Sequence, residues 1–309
     1  MGTTSLIAAA MAPAVRRHVR TRRPALAAYA LLAPSFGFLI GFTYWPVARA
    51  AIDSLRVQGF GAAAATWGAS NYARLFADPH FATAAINNAV YAAGTIVPSL
   101  LLALGFALAL QESARLASLL RTLVVLPMLV PLVGAAALFT FVFLPGAGLI
   151  DNYLGPLGLA ETNWLGDPSL AMGSIVGLTI WKNTGYYMLF FLAGLAGVPR
   201  ELLDAARIDG AGAIGRFRHV TLPLLGPTLS FVLVISLLNV MTQVDHIVVM
   251  TQGGPSDATS VLLYYIFQQA HQNYDTGLAA AATVVSVSVL LALSIVSLRT
   301  LDRGLHHES

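Results

Sequence analysis

"ELLDAARIDGAGAIGRFRHVTLP", residues 201–223, is charged and helix-prone, yet it interrupts a chain that is mostly hydrocarbon. Hydrophobic residues fill 57% of the 309 positions and charged residues only 10%, with a mean hydropathy of +0.74. A soluble domain needs roughly 25% charged residues to cover its surface, so the solvent of this chain is lipid. The net charge of +3 is then no nucleic-acid footprint, because arginines flanking membrane spans give the same balance. The chain has no Cys, which excludes disulfides, thiolate zinc sites and cysteine nucleophiles.

On either side of the quoted stretch, hydropathy marks six apolar segments, near 25–46, 84–110, 119–144, 170–195, 224–250 and 278–298. Each is long enough to cross ~30 Å of hydrocarbon at ~1.5 Å per residue. The basic run Arg16, Arg17, Arg20, Arg22 and Arg23 precedes a segment too long for a signal-peptide core, so a first anchor is expected rather than a cleaved signal. Arginines then set the orientation. The N-terminal tail, the 111–121 loop, the 199–222 loop and the C-terminal tail hold Arg115, Arg121, Arg200, Arg207, Arg216, Arg218, Arg299 and Arg303. The alternate loops hold mainly Asp and Glu, with Arg49, Arg56 and Arg74. Positive charge stays inside, so both termini are expected in the cytoplasm. Pro127 and Pro131 interrupt the third segment and remove backbone donors there.

In this topology residues 201–223 face the cytoplasm. Val198-Pro199 ends the fourth segment, and Pro199 suits the first turn of a new helix. Glu201 and Asp204 sit near that helix's N-terminus, where its dipole favours carboxylates. Gly210 and Gly212 break it, a basic piece follows to His219, and Pro223 marks the return to the membrane. The residues alone leave two readings open: an amphipathic helix held by lipid headgroups, or a projecting knob whose small alanines let another surface approach.

The stretch resembles the EAA loop of binding-protein-dependent ABC importer permeases: E-A-A, three residues, G, nine residues, I, one residue, L-P. Here Asp204-Ala205-Ala206 leads to Gly210, then Val220 and Leu222-Pro223, with both spacings intact. Asp204 stands where that family has Glu, and Val220 where it has Ile. "LAGVPRE" (195–201), Ile208-Asp209-Gly210-Ala211, "TQGGPSDAT" (251–259) and "VVLPMLVP" (124–131) resemble the maltose and glycerol-3-phosphate permease branch. The likeness runs over about residues 25–300.

The resemblance implies an all-α integral membrane protein with six transmembrane helices, the type I ABC importer permease fold. Its parts would be a cytoplasmic tail (1–24), a permease domain (25–300) with its EAA coupling loop at 198–223, and a second cytoplasmic tail (301–309). Such a chain is a transport subunit of the bacterial cytoplasmic membrane, not an enzyme, and forms half of a pathway for a sugar, glycerol-3-phosphate, a glycerophosphodiester or an oligosaccharide. Its implied partners are the lipid bilayer, a second homologous permease, two copies of an ATPase subunit and an extracytoplasmic solute-binding protein. Nucleic acid is not among them. Glu201, Asp204, Ala205, Ala206, Asp209 and Gly210 would dock onto the ATPase. The sequence holds no G-x-x-x-x-G-K-[ST] loop, so no cofactor is expected here and the ATPase would bind ATP and magnesium.

Polar residues inside the spans are costly in hydrocarbon and point to a pathway or to helix pairing. Lys182, the only lysine, lies in "IWKNTGYY" with Trp181, Asn183 and Tyr186. The second span carries Asn87, Asn88, Tyr91 and Thr95, and the fifth carries Asn239, Thr242, Gln243, Asp245 and His246. Asn239 and Gln243 share a helix face by their four-residue spacing. Asn88, Trp181, Lys182, Asn183, Tyr186, Asn239, Gln243 and Asp245 are therefore candidates for the substrate path. Pairing between helices is the alternative for all of them, and snorkelling to headgroups for Lys182. The histidines lack ligand spacing, so no metal site is expected. An ion-coupled secondary transporter could use Asp245 and His246, but usually has inverted repeats, and none is visible.

Overall fold

A lipid-solvated chain has to satisfy its backbone within each segment, and the described residues are helical almost throughout. The computed structural model describes residues 23–57, 66–112, 114–155 and 162–302. The expected tails, 1–24 and 301–309, lie almost wholly outside them. The chain divides into two units, Met1–Arg49 and Ala50–Ser309. From the N-terminus come α1 (Arg23–Leu39), a π-helical turn (Ile40–Tyr44), α2 (Trp45–Ser54), β1 (Arg56–Val57) and β2 (Thr66–Trp67). Next are α3 (Ser70–Ala77), α4 (Pro79–Ala109), α5 (Arg115–Leu129), α6 (Leu132–Val142), α7 (Leu149–Leu154) and α8 (Ala171–Ala196). Then follow α9 (Arg200–Ile208), α10 (Ala213–Arg216), a second π-helical turn (Phe217–Thr221) and α11 (Leu222–Leu224). The chain ends with α12 (Gly226–Thr242), α13 (Asp245–Met250), α14 (Leu262–His271) and α15 (Thr276–Asp302).

Among the described residues four helical runs are long and apolar enough to cross a membrane: Ala28–Ser54, Pro79–Ala109, Gly226–Met250 and Thr276–Arg299. A fifth exists if the bent pair α5–α6 counts as one span. Two of the six expected spans are redrawn by the structure. The first runs on to Ser54, because a π-helical turn absorbs Pro46 instead of ending the helix. There the Trp45 N–H reaches back to the Ile40 carbonyl. The same device precedes Pro223, where Leu222 N–H reaches Phe217. In each case the proline lacks an N–H and its ring displaces the carbonyl four residues back, widening the turn.

The second correction concerns the third expected span, 119–144. It is not one helix but two, bent by 99° at Val130-Pro131. Val130 is extended, with φ −73° and ψ 128°, as the residue before a proline prefers. The fourth expected span, 170–195, coincides with the 26-residue α8, which is not among these apolar runs; Lys182, Asn183 and the Tyr186-Tyr187 pair sit in its middle. A helix packed among others can carry such groups where a lipid-facing one cannot.

Within the unit Ala50–Ser309, α4 and α8 lie side by side. Ala103, Ala107, Ala117, Tyr187, Met188, Phe191 and Val232 form one buried cluster joining α4, α5, α8 and α12. Tyr91, Ile175, Val240, Ile247 and Val261 form another. Small residues set the spacing. An added Cβ at Gly194 would fall 2.5 Å from Thr228 Oγ1, and one at Gly185 would fall 2.0 Å from the Val124 carbonyl oxygen. Hydroxyls inside the helices turn back on their own backbones, as Thr179 does to Ile175 and Ser230 to Gly226, each at 2.9 Å.

The end of the unit that carries α3 and α14 is held by polar links instead. Asp78 caps α4, one carboxylate oxygen accepting His80 N–H at 2.9 Å and the other accepting Tyr265 O–H at 2.6 Å. Burial, and then the Asp78 carboxylate, push the Tyr265 phenol well above its ordinary pKa, which keeps it a donor. Arg74 pairs with Asp275 at 2.5 Å, and Asn87 donates to the carbonyls of Asp257 and Ser260.

Candidate functional site

The 198–223 stretch is two short helices joined by a glycine turn. Pro199 is the residue before α9 rather than inside it, with φ −61° and ψ 129°. The α9 C-terminus closes in a six-to-one, five-to-two pair of hydrogen bonds: Ala211 N–H to Ala206 at 2.9 Å, and Gly210 N–H to Arg207 at 3.1 Å. That closure needs a left-handed residue at Gly210, whose φ is +82°. Arg216 then donates to the Ala211 carbonyl at 3.2 Å, fastening α10 back onto the turn.

No residue of α9 is buried. Glu201, Asp204, Ala205 and Asp209 are exposed, and Ala206 is half-buried. Ile208 is 87% exposed and Ile214 83%. Asp204 pairs only loosely with Arg207, at 3.7 Å. A concavity of about 350 Å³ has Leu202, Ala205, Ala206 and Asp209 on one wall and His219, Val220, Pro223 and Leu224 on the other. All six sequence-derived coupling residues thus lie on one projecting element, with the alanines forming its shallow groove.

The interior candidates divide into separate groups. Asn239 donates to the Tyr187 hydroxyl at 3.1 Å, and Gln243 donates to Asn239 Oδ1 at 3.3 Å. This pair is brought together as its spacing predicts. Gln243, however, is the extended residue that ends α12, and Asp245 begins α13 beyond the break and is exposed. Asn88 is buried and donates to Met241 Sδ at 3.1 Å, and its own Oδ1 has no partner. Asn183 is buried within α8, and Tyr186 is half-buried, edge-on to Phe190 at 5.0 Å. Trp181 and Lys182 turn elsewhere, toward α5 and α6. The Trp181 ring lies 5.0 Å from Phe139, and Lys182 Nζ donates to the carbonyls of Met128, at 3.3 Å, and Val130.

Two groups were not foreseen. Tyr187 anchors the amide pair, and its only signal was its place in the tandem "YY". Tyr91, Thr179 and His246 form a buried chain, Tyr91 Oη lying 3.1 Å from Thr179 Oγ1 and 2.9 Å from His246 Nε2. Thr179 spends its proton on Ile175. Tyr91 therefore donates to Thr179, and His246 Nε2–H donates to Tyr91, leaving His246 Nδ1 without a partner. Helix positions 91, 179 and 246 share no spacing in sequence, so packing alone brings them together.

The family described as "Binding-protein-dependent transport system inner membrane component" matches residues 99–307. The chain is 33% identical over 282 residues to the sn-glycerol-3-phosphate transport system permease protein UgpA of Salmonella choleraesuis (strain SC-B67). That match covers 91% of this chain and 95% of the relative. The corresponding protein of Escherichia coli O157:H7 is 32% identical with the same coverage. In fold, the chain is similar to a chain of a bacterial ABC transporter involved in import of the acidic polysaccharide alginate. The TM-score is 0.79 at 22% identity, over 91% of this chain and 96% of the other. A second structure, of a bacterial alginate ABC transporter with its alginate pentasaccharide-bound periplasmic protein, gives 0.78 at 22% identity, covering 89% and 93%.

Proposed function

The chain belongs to the family of binding-protein-dependent transport system inner membrane components, as a permease subunit of an ABC importer, and we propose that it forms half of a pathway for a glycerol-phosphate-type solute. The observation that carries this reading is the exposed knob α9–α10, with its Asp204-Ala205-Ala206 face and Gly210 turn, in a chain that has no phosphate loop of its own. ATP is hydrolysed by a partner. Glu201, Asp204 and Asp209 offer carboxylates to basic groups on that ATPase, while Ala205 and Ala206 let the two surfaces close together. The remaining partners are a second permease, a second ATPase copy and a solute-binding protein outside.

In this reading α8 joins the five candidate spans as a sixth. It takes its place among other helices, which is why its polar middle is tolerated. The permease lies in the bacterial cytoplasmic membrane with both termini in the cytoplasm, and its domain extends over 25–300. Single cysteines placed in this Cys-free chain test the orientation. A cysteine at Ala205 should resist an impermeant thiol reagent applied from outside, and one at Ser256 should react. Outside labelling at 205 would remove both the orientation and the ATPase docking.

The solute class rests on the 33% identity to glycerol-3-phosphate permeases over nearly the whole chain. Asn88, Asn183, Tyr186, Asn239, Gln243 and Asp245 supply the amides, aromatic face and carboxylate that a hydroxylated solute needs, whereas Trp181 and Lys182 are turned to α6 and to the α5–α6 break. Uptake of glycerol-3-phosphate, a glycerophosphodiester and a neutral disaccharide should be compared in vesicles holding the complete complex and its binding protein. The phosphorylated solutes are expected to enter, and entry of the disaccharide alone overturns the assignment. Asn239→Leu should weaken the apparent affinity for the cognate solute by about five-fold, the worth of one neutral hydrogen bond. An unchanged apparent affinity would make Asn239 and Tyr187 a helix-pairing contact only.

A further inference from the structure

We infer that Lys182 is a positioning residue: it clamps the broken helix α5–α6 onto α8 at the break itself, instead of contacting the solute. In an unbroken helix the carbonyls of Met128 and Val130 would accept the amides of residues 132 and 134. The 99° bend carries those amides away into the first turn of α6. Pro131 has no N–H to offer, and the Pro127 carbonyl is met only by Val130 N–H at 3.2 Å. The end of α5 therefore has orphan carbonyls inside a membrane protein, where water is scarce.

Lys182 Nζ donates to two of them, Met128 and Val130. Among the described residues no carboxylate pairs with this ammonium. Its charge instead meets the negative end of the α5 dipole. Neighbours on the same face of α8 hold the rest of the break. Leu178 packs with Ala136 and Phe143 of the α6 segment, and Trp181 with Phe139. One turn after Lys182, Gly185 lets the Val124 backbone of α5 come so close that a Cβ would not fit. Residues 178, 181, 182 and 185 recur at the spacing of one helix face. In order, that face grips α6, α6 again, the break and α5. A rigid-body movement of α8 must therefore carry both halves of the broken span with it, and loss of the central ammonium uncouples them.

The transport part of this inference rests on the importer reading above, so the test has a readout that does not. Spin labels at the exposed positions Leu120 and Leu138, one on α5 and one on α6, report the bend by their distance distribution in the assembled complex. Lys182→Met should broaden that distribution, and Lys182→Arg, which keeps the charge and the donors, should restore it. The maximal uptake rate should fall about ten-fold in Lys182→Met, as expected for loss of a charged hydrogen bond, with the apparent affinity for solute unchanged. If Lys182→Met cannot be purified, Lys182→Gln and Trp181→Leu remove one grip each and should broaden the distribution partly. An unchanged distribution in every purified variant overturns the clamp. A rise in apparent KM for a phosphorylated solute alone, with the rate and distances intact, overturns it in favour of solute contact. If wild-type vesicles import nothing, the importer reading fails while the label distances still decide the clamp.

Discussion

Replacing Gly210 with valine should abolish uptake while the protein still reaches the membrane in normal amount. Gly210 has φ +82°, and both hydrogen bonds that close α9 depend on that turn. A left-handed β-branched residue costs on the order of 1–3 kcal/mol, enough to open a two-bond turn that nothing else covers. The damage stays local because no residue of α9 or α10 is buried, so the spans fold without the knob. Asp204→Lys should reach the same end by another route, placing a cation where the partner is expected to present its own. Substrate-stimulated ATP hydrolysis should disappear in both variants. Normal uptake by both would mean that the knob is not the docking element.

Gly185→Leu should have the opposite signature, a loss of the fold rather than of coupling. A Cβ at this position falls 2.0 Å from Val124 O and 2.8 Å from Val125 Cα, and both are backbone atoms that cannot rotate away. Overpacking of this kind costs about 1–3 kcal/mol even for small additions, and a leucine adds far more volume than a methyl. The thermal midpoint in detergent should drop and the amount in the membrane should fall. Gly177→Ala is the matched control on the same helix. Nothing lies within 4 Å of its added Cβ, and alanine favours a helix over glycine by up to about 1 kcal/mol. A wild-type midpoint for Gly185→Leu would show that α5 and α8 do not approach as described.

The helical membrane class and the knob were legible because both depend on short-range pattern. Spacing carried Asp204-Ala205-Ala206 to Gly210, and that glycine does occupy the left-handed turn. Apolar length placed three of the four unbroken candidate spans closely and ended the first too early, at Pro46 instead of Ser54. The third expected span was misread as one helix because hydropathy sums apolar content and is blind to direction. Pro127 and Pro131 look alike in the sequence, yet α5 continues through the first and stops before the second. Lys182 could be seen as anomalous but not interpreted. A charge inside a span announces that it has a partner without saying whether the partner is solute, headgroup or, as here, the carbonyl end of another helix.

By itself the sequence determined the solvent of this protein, the helical character of its segments, and the turn chemistry that shapes its exposed knob. These follow from composition and from contacts within about one helical turn, where period and residue type suffice. The tertiary structure decided the rest: which polar groups meet. Tyr91 finds Thr179 and His246, Asn239 finds Tyr187, and Lys182 finds the broken end of α5. Each pair lies more than fifty positions apart in the chain, joined only by the close approach that residues such as Gly185 permit. In hydrocarbon an unpaired polar group costs several kcal/mol, which strongly favours pairing, but only the packing of helix on helix selects the partner.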